Sequence, residues 1–194
     1  EREVNPLELL KKVKEIFEKY KVANVSFSEV IAIHKNQLFS LVPTALFDEG
    51  ELANYLKFNA KILTNDVIVY DELESNDLMN VYVPFMNVNN YIYELFGEFE
   101  FKHSSTVMVE SLLNTPQPGN DSFCYVHVGD KQMEITVVSN KKLLLHNSFS
   151  YNTKEDFIYY LLFTLEQLKL DTNTVKLKLF GAIDEDDEIY GISY

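Results

Sequence analysis

The sequence predicts a mixed α/β protein of two lobes, each built around a mixed sheet. Two observations carry this. Residues 123–168 read as three short strands, FCYVHVG, EITVVS and LLLHNSF, then a capped helix, TKEDFIYYLLFTLEQL, and a further strand, TVKLKLF, ends at Gly181. That β-β-β-α-β order is half of a two-lobed nucleotide-binding fold. The second observation is the segment NTPQPGND at residues 114–121, where Pro, Gly and turn-forming polar residues separate a helix from a strand. The lobes are therefore expected at residues 1–115 and 116–194.

Taken in order, Asn5-Pro6 opens the first helix: Asn caps, Pro takes the first helical position, and Glu8 completes a box-like motif. Leu7, Leu10, Val13, Phe17 and Tyr20 recur at helical spacing and predict one buried stripe, with the lysines mostly opposite. Residues 25–33 are expected as a strand, His34-Lys35-Asn36 as a turn, and residues 37–42 as the returning strand. Two short helical segments follow, PTALF and GELANYL, and the stretch 62–70 is split by Thr64-Asn65-Asp66. Residues 81–84 predict a strand, 88–96 a helix stopped at Gly97, and 98–102 another strand. Ser104 is expected to cap a helix running to about Leu113. In the second lobe, Thr153 and Asp156 form a capping box, and Phe157, Leu161, Leu165 and Leu168 make a stripe that packs on a sheet.

Composition narrows the function classes. The chain of 194 residues is 46% hydrophobic and holds 14 Phe and 12 Tyr, enough to build a core. No apolar run is long enough to span a bilayer, so no membrane insertion is expected. Net charge is −13, divided as −6 over residues 1–97 and −7 over 98–194, which disfavours nucleic acid and anionic membranes as partners. The lone Cys124 excludes an intrachain disulfide, reads as a buried thiol in an apolar strand, and fits a cytoplasmic location.

The run VHVGDKQMEITVVSNKKLLLHNSFSYNTKEDFIYYLLFTLEQLKLD, with LFSLVPTALF upstream, resembles an uncharacterised bacterial family known as a domain of unknown function. That family is itself similar to the actin-like ATPase superfamily of sugar kinases, chaperone ATPases and pilus or division scaffolds. The resemblance is most specific at NSFSYNTKEDFIYY. It implies a two-lobed actin-like ATPase fold with ribonuclease-H-like lobes, and it brings no established activity. It further implies that each lobe opens with three strands. The first lobe, which here starts at its helix, and the second, which stops soon after Gly181, are therefore both expected to be incomplete.

The same resemblance locates a nucleotide site. The superfamily's second lobe opens with a hairpin carrying Asp-x-Gly, the Asp serving metal and water and the Gly letting amides approach phosphate. Here His127 stands at the Asp position and Gly129 at the Gly position, followed by Asp130, Lys131 and Gln132. The carboxylate of Asp130 repels phosphate, and Lys131 partly offsets it. A plain hairpin, with Gly129 free to take positive φ, accounts for the same residues. Paired glycines after the last strand would serve adenosine, and Phe180-Gly181-Ala182 retains one. Gly129, Lys131 and Gly181 are thus the cofactor-binding candidates if ATP with Mg²⁺ binds; otherwise no cofactor is expected.

No catalytic residue and no metal ligand is singled out. The acidic run at 184–188 matches no calcium loop. His34, His103, His127 and His146 lack ligand spacing, although His127 and His146 are expected to face each other across adjacent strands. These readings favour a non-catalytic actin-like scaffold or protein-interaction module with a degenerate nucleotide site, contacting a protein partner or a second copy of itself. Tyr91, Tyr93, Tyr151 and Tyr159 are the candidate contacts. The alternative is an ATP-binding switch or ATPase using the cleft between lobes.

Overall fold

The computed structural model describes residues 5–57, 61–73, 76–116 and 121–193. They divide into two compact units, Glu1–Met108 and Val109–Tyr194. The expected lobe boundary at 115/116 lies just after the helix that carries this division, and residues 117–120 lie outside the described residues.

In the first unit, α1 spans Pro6–Lys19 and is capped as expected, Asn5 Oδ1 accepting from the Leu7 amide at 2.9 Å. Its predicted stripe is not buried: α1 has no fully buried residue, and Leu7 and Tyr20 are exposed. Phe17 makes the contact instead, its ring 5.8 Å from Tyr91 and 6.2 Å from Phe96. Both belong to α3, Met86–Phe96, which ends at Gly97 with φ 77°.

The first sheet differs from expectation. Of the stretch 25–33 only residues 31–33 are strand; they belong to β1, Ile31–His34, which takes in the first residue of the expected turn and pairs in parallel with β5, Glu100–His103. A strand needs a partner for its backbone groups, and β5 offers four positions, Ile31 to His34 facing Glu100 to His103. Val25 and Phe27, with no such partner, stay half exposed. Nor does His34-Lys35-Asn36 turn the chain into a hairpin. The Asn36 side chain donates to the Val83 carbonyl at 2.9 Å and accepts from the Leu38 amide at 2.8 Å, steering the chain to β4, Leu78–Tyr82. There β2, Phe39–Pro43, and β3, Val69–Leu73, flank β4, both antiparallel. Residues 62–68 are not strand: Asp66 accepts from the Leu63 amide at 2.7 Å and closes a turn ahead of β3. Val42, Val81, Val83 and Leu56 of α2, Leu52–Leu56, form this unit's core.

The helix α4, Ser104–Asn114, begins one residue earlier than a Ser104 cap allows. His103 takes that role, its Nδ1 accepting from the Ser105 amide at 3.1 Å. Ser104 Oγ is buried with no hydrogen-bond partner among the described residues.

The second unit follows the predicted order. Strands β6, Ser122–Val128, β7, Gln132–Ser139, β8, Lys142–Ser150, and β9, Lys176–Gly181, form one sheet in the order β8-β7-β6-β9. The first three are antiparallel and β9 joins β6 in parallel. A bulge on β8 leaves Leu144 exposed, since Val137 faces Leu145 and Val138 faces Leu143. The helix α5, Lys154–Gln167, carries the full Thr153–Asp156 capping box. It lays Phe157, Leu161 and Leu165 on Cys124, Val126, Val128, Met133, Ile135 and Val137. The opposite sheet face packs Phe123, Tyr125 and Val138 with Leu112 and Leu113 of α4.

Candidate functional site

The strand order aims β6, β8 and β9 the same way, so the β6–β7 turn, the entry to α5 and the segment after β9 meet at one edge. In open α/β sheets the carboxyl ends of the strands are where ligands bind. Here they enclose an open cleft of about 560 Å³ lined by residues 129–131, 151–154, Ala182 and 187–189. Two of the three candidates, Gly129 and Lys131, line it; Gly181 sits one residue behind Ala182.

The turn is a closed hairpin. The Gly129 amide donates to the Gln132 carbonyl at 2.8 Å, the Tyr151 hydroxyl donates to the Gly129 carbonyl at 2.9 Å, and the Tyr151 amide donates to the Lys131 carbonyl at 3.0 Å. The expected positive φ falls on Lys131, at 54°, and not on Gly129. Gly181 is the glycine that backbone geometry demands. It has φ 101°, and a Cβ there would meet the Val128 carbonyl at 2.4 Å and the His127 ring at 3.0 Å. That closeness lets the Ala182 amide donate to Val128 at 2.8 Å, extending the β6–β9 ladder. Gly181 thus serves strand packing.

The electrostatics of the cleft are acidic. Asp130, Asp187 and Glu188 face Lys131 and Lys154, and Lys154 Nζ is paired with Glu188 at 3.0 Å. That pairing raises the Lys154 pKa. Burial, then the charges of Asp130 and Asp187, hold the Tyr151 hydroxyl above its ordinary value. The entry to α5 is already filled by an anion of its own: the Asp156 carboxylate accepts from the Asn152 and Thr153 amides at 3.0 and 3.1 Å, which lowers its pKa. The residues of this edge do not fit a nucleotide phosphate, since the turn is closed on itself, the helix entry is occupied and the uncompensated charge is negative.

His127 Nδ1 pairs with Glu134 on β7 at 3.0 Å, and its ring lies 5.3 Å from Phe180. It does not face His146, because β7 runs between β6 and β8. His146 Nδ1 instead meets Thr136 Oγ1 at 2.8 Å, and burial pushes its pKa down to about 4 against the pull of Glu134. Cys124 is buried, its thiol pushed up to about 12 by desolvation, which makes it inert. Among the described residues no group of three or more His, Cys, Asp or Glu could hold a metal ion, and no helix is long and apolar enough to cross a membrane.

Sequence reasoning missed a buried polar network in the first unit. Asp71 accepts from the Tyr82 hydroxyl at 2.9 Å, the Thr106 hydroxyl at 2.6 Å and the His103 amide at 2.8 Å. Thr106 in turn accepts from Asn80 at 2.9 Å. Burial, then Asp71, drives the Tyr82 phenol far above its ordinary pKa. The network ties β3 and β4 to the start of α4. The Asp71, Asn80 and Thr106 side chains are far apart in sequence, and only the spacing of Asn80 and Tyr82 on one strand hinted at it. Of the candidate contact tyrosines, Tyr93 and Tyr159 are each 60% exposed, Tyr91 is half-buried against Phe17, and Tyr151 is buried at 8% and closes the turn.

Comparison with known proteins agrees with this architecture. No curated protein matches the chain. A crystal structure of a Bacteroides thetaiotaomicron protein, described as having an actin-like ATPase fold and unknown function, superposes with a TM-score of 0.87 at 24% sequence identity. The match covers 95% of this chain and 72% of that one, and it establishes the fold. The family model described as "Protein of unknown function (DUF3822)" matches residues 1–194. The chain therefore belongs to the DUF3822 family and has a mixed α/β, actin-like ATPase fold.

Proposed function

We propose that this chain is a non-catalytic actin-like scaffold, a cytoplasmic bacterial protein-interaction module whose nucleotide site is degenerate. One observation carries the proposal: the turn that would cradle phosphate is a hairpin sealed by Tyr151 and flanked by Asp130, Asp187 and Glu188. A phosphate brought there would lose water, find the Gly129 amide already donated to the Gln132 carbonyl, and meet net negative charge. The lone buried cysteine supports a reducing compartment. The exposed aromatics Tyr93 and Tyr159 support a protein partner.

Thermal unfolding with and without Mg-ATP tests the proposal. A ligand at a thousandfold excess over its Kd stabilises by about 4 kcal/mol, which is several degrees in Tm. The expected result is no shift at millimolar Mg-ATP. A shift of several degrees would move the protein to the ATP-dependent switch or ATPase class.

A further inference from the structure

The outer face of α5 carries exposed apolar side chains among the described residues. Tyr159 is 60% exposed, Leu162 47% and Phe163 43%. Tyr159 and Phe163, one turn apart, stack with centroids 5.9 Å apart and planes within 17°. Tyr160 braces them, edge-on to Tyr159 at 5.4 Å and stacked on Phe149 of β8 at 5.0 Å. The result is one preformed ledge in place of separate mobile rings. On the other flank Leu162 borders a cleft of about 710 Å³ between α5 and β9, lined also by Ile158 and Val175 and, at its rim, by Asp121, Lys176 and Lys178. Single exposed apolar residues need no partner, whereas a stacked aromatic ledge beside a cleft has the make-up of an interface centre.

Charge selects the occupant. Glu155 and Glu166, both exposed, stand one turn before Tyr159 and one turn after Phe163 on the same stripe. Of the nearby lysines, Lys154 is paired with Glu188 at 3.0 Å, and Lys176 and Lys178 stand in register with Phe123 and Tyr125 on the sheet face away from α5, where Lys178 lies over both rings. A second copy docking through the same face would set Glu155 against Glu166 if antiparallel, or each acid against its own counterpart if parallel. Both arrangements repel, and the net charge of −13 adds to the repulsion between copies. The complementary occupant has an apolar centre and cationic flanks.

We propose that the outer face of α5 docks a basic amphipathic helix of another protein. Tyr159, Leu162 and Phe163 would grip its apolar face, and Glu155 and Glu166 would meet its flanking lysines or arginines. This rests on the protein-binding function proposed above, and it adds the surface and the partner's chemistry.

The probes are two short synthetic helical peptides with the same Leu/Phe stripe, one flanked by Lys and the other by Glu, followed by fluorescence anisotropy at physiological ionic strength. The Lys peptide should bind roughly tenfold or more tighter than the Glu peptide, a difference of about 1.4 kcal/mol. The double variant Tyr159→Ser/Phe163→Ser should weaken the Lys peptide by a similar factor, and Glu155→Lys/Glu166→Lys should reverse the preference. All four side chains are exposed, so unchanged melting curves certify the fold of each variant. Binding that ignores both variants, or no binding of either peptide, would overturn the assignment. So would a wild-type dimer in sedimentation that Phe163→Ser disperses, since a second copy would then be the occupant. Failed peptide binding without a Mg-ATP shift would discard the α5 face and leave the scaffold function standing. A Mg-ATP shift would overturn the scaffold function itself.

Discussion

Gly181 and Gly129 look equivalent in the sequence and differ in the fold. Gly181 holds φ 101° and has no room for a Cβ, whereas at Gly129 the nearest atom, the Gln132 carbonyl, lies 3.4 Å from a built Cβ. Gly181→Ala should therefore cost more than about 1 kcal/mol, because the obstacle is backbone, and Gly129→Ala should stay within about 0.5 kcal/mol. Urea titration of both variants checks the pair; equal effects would contradict the geometry. His146 supplies a pH dependence. Its folded pKa, about 4, lies below the ordinary 6.5, so the unfolded chain binds the proton more readily. The stability this gives is fully present above pH 6.5 and is lost as pH falls toward 4. His146→Asn removes the titrating group and should flatten the fall in unfolding free energy between neutral pH and about 4.5 relative to wild type. An unchanged slope would mean that His146 takes up its proton as readily in the native state as in the unfolded chain.

At the scale of elements, what was legible in the sequence was what is locally determined. The Asn5-Pro6 cap, the Thr153–Asp156 box and the strands β6 and β7 each depend on residues within a few positions, and each forms as read. What was illegible depends on distant partners. The parallel pairing of β1 with β5 joins residues nearly seventy apart, so the apolar alternation at Val25 and Phe27 looked like strand without a neighbour to complete it. The site shows the same division. Gly129 and Lys131 were placed correctly in the turn, but Tyr151 and Glu188, which seal the turn and neutralise Lys154, reach it through tertiary folding. The best-determined element is α5 on its sheet. Leu161 and Leu165 are 2% and 4% exposed within the main core, so truncating either to Ala should cost about 2–5 kcal/mol in denaturant melts. Neutral results at both positions would contradict the packing.

At the scale of the molecule, an actin-like ATPase fold is combined with an acidic surface. The net charge of −13 sets a repulsive background for any polyphosphate, and the cleft at the strand ends adds Asp130, Asp187 and Glu188 to it. The same acidity, gathered at Glu155 and Glu166 around an aromatic ledge, attracts a basic protein segment. The fold is fixed by burial on both faces of the second sheet and by the core of the first unit, while the charge at the strand ends is set by a few side chains. Isothermal titration of the protein with Mg-ATP tests this most directly. The account predicts no heat of binding beyond dilution at millimolar nucleotide. Binding at micromolar Kd that is lost when Lys131 is replaced by Glu would contradict it.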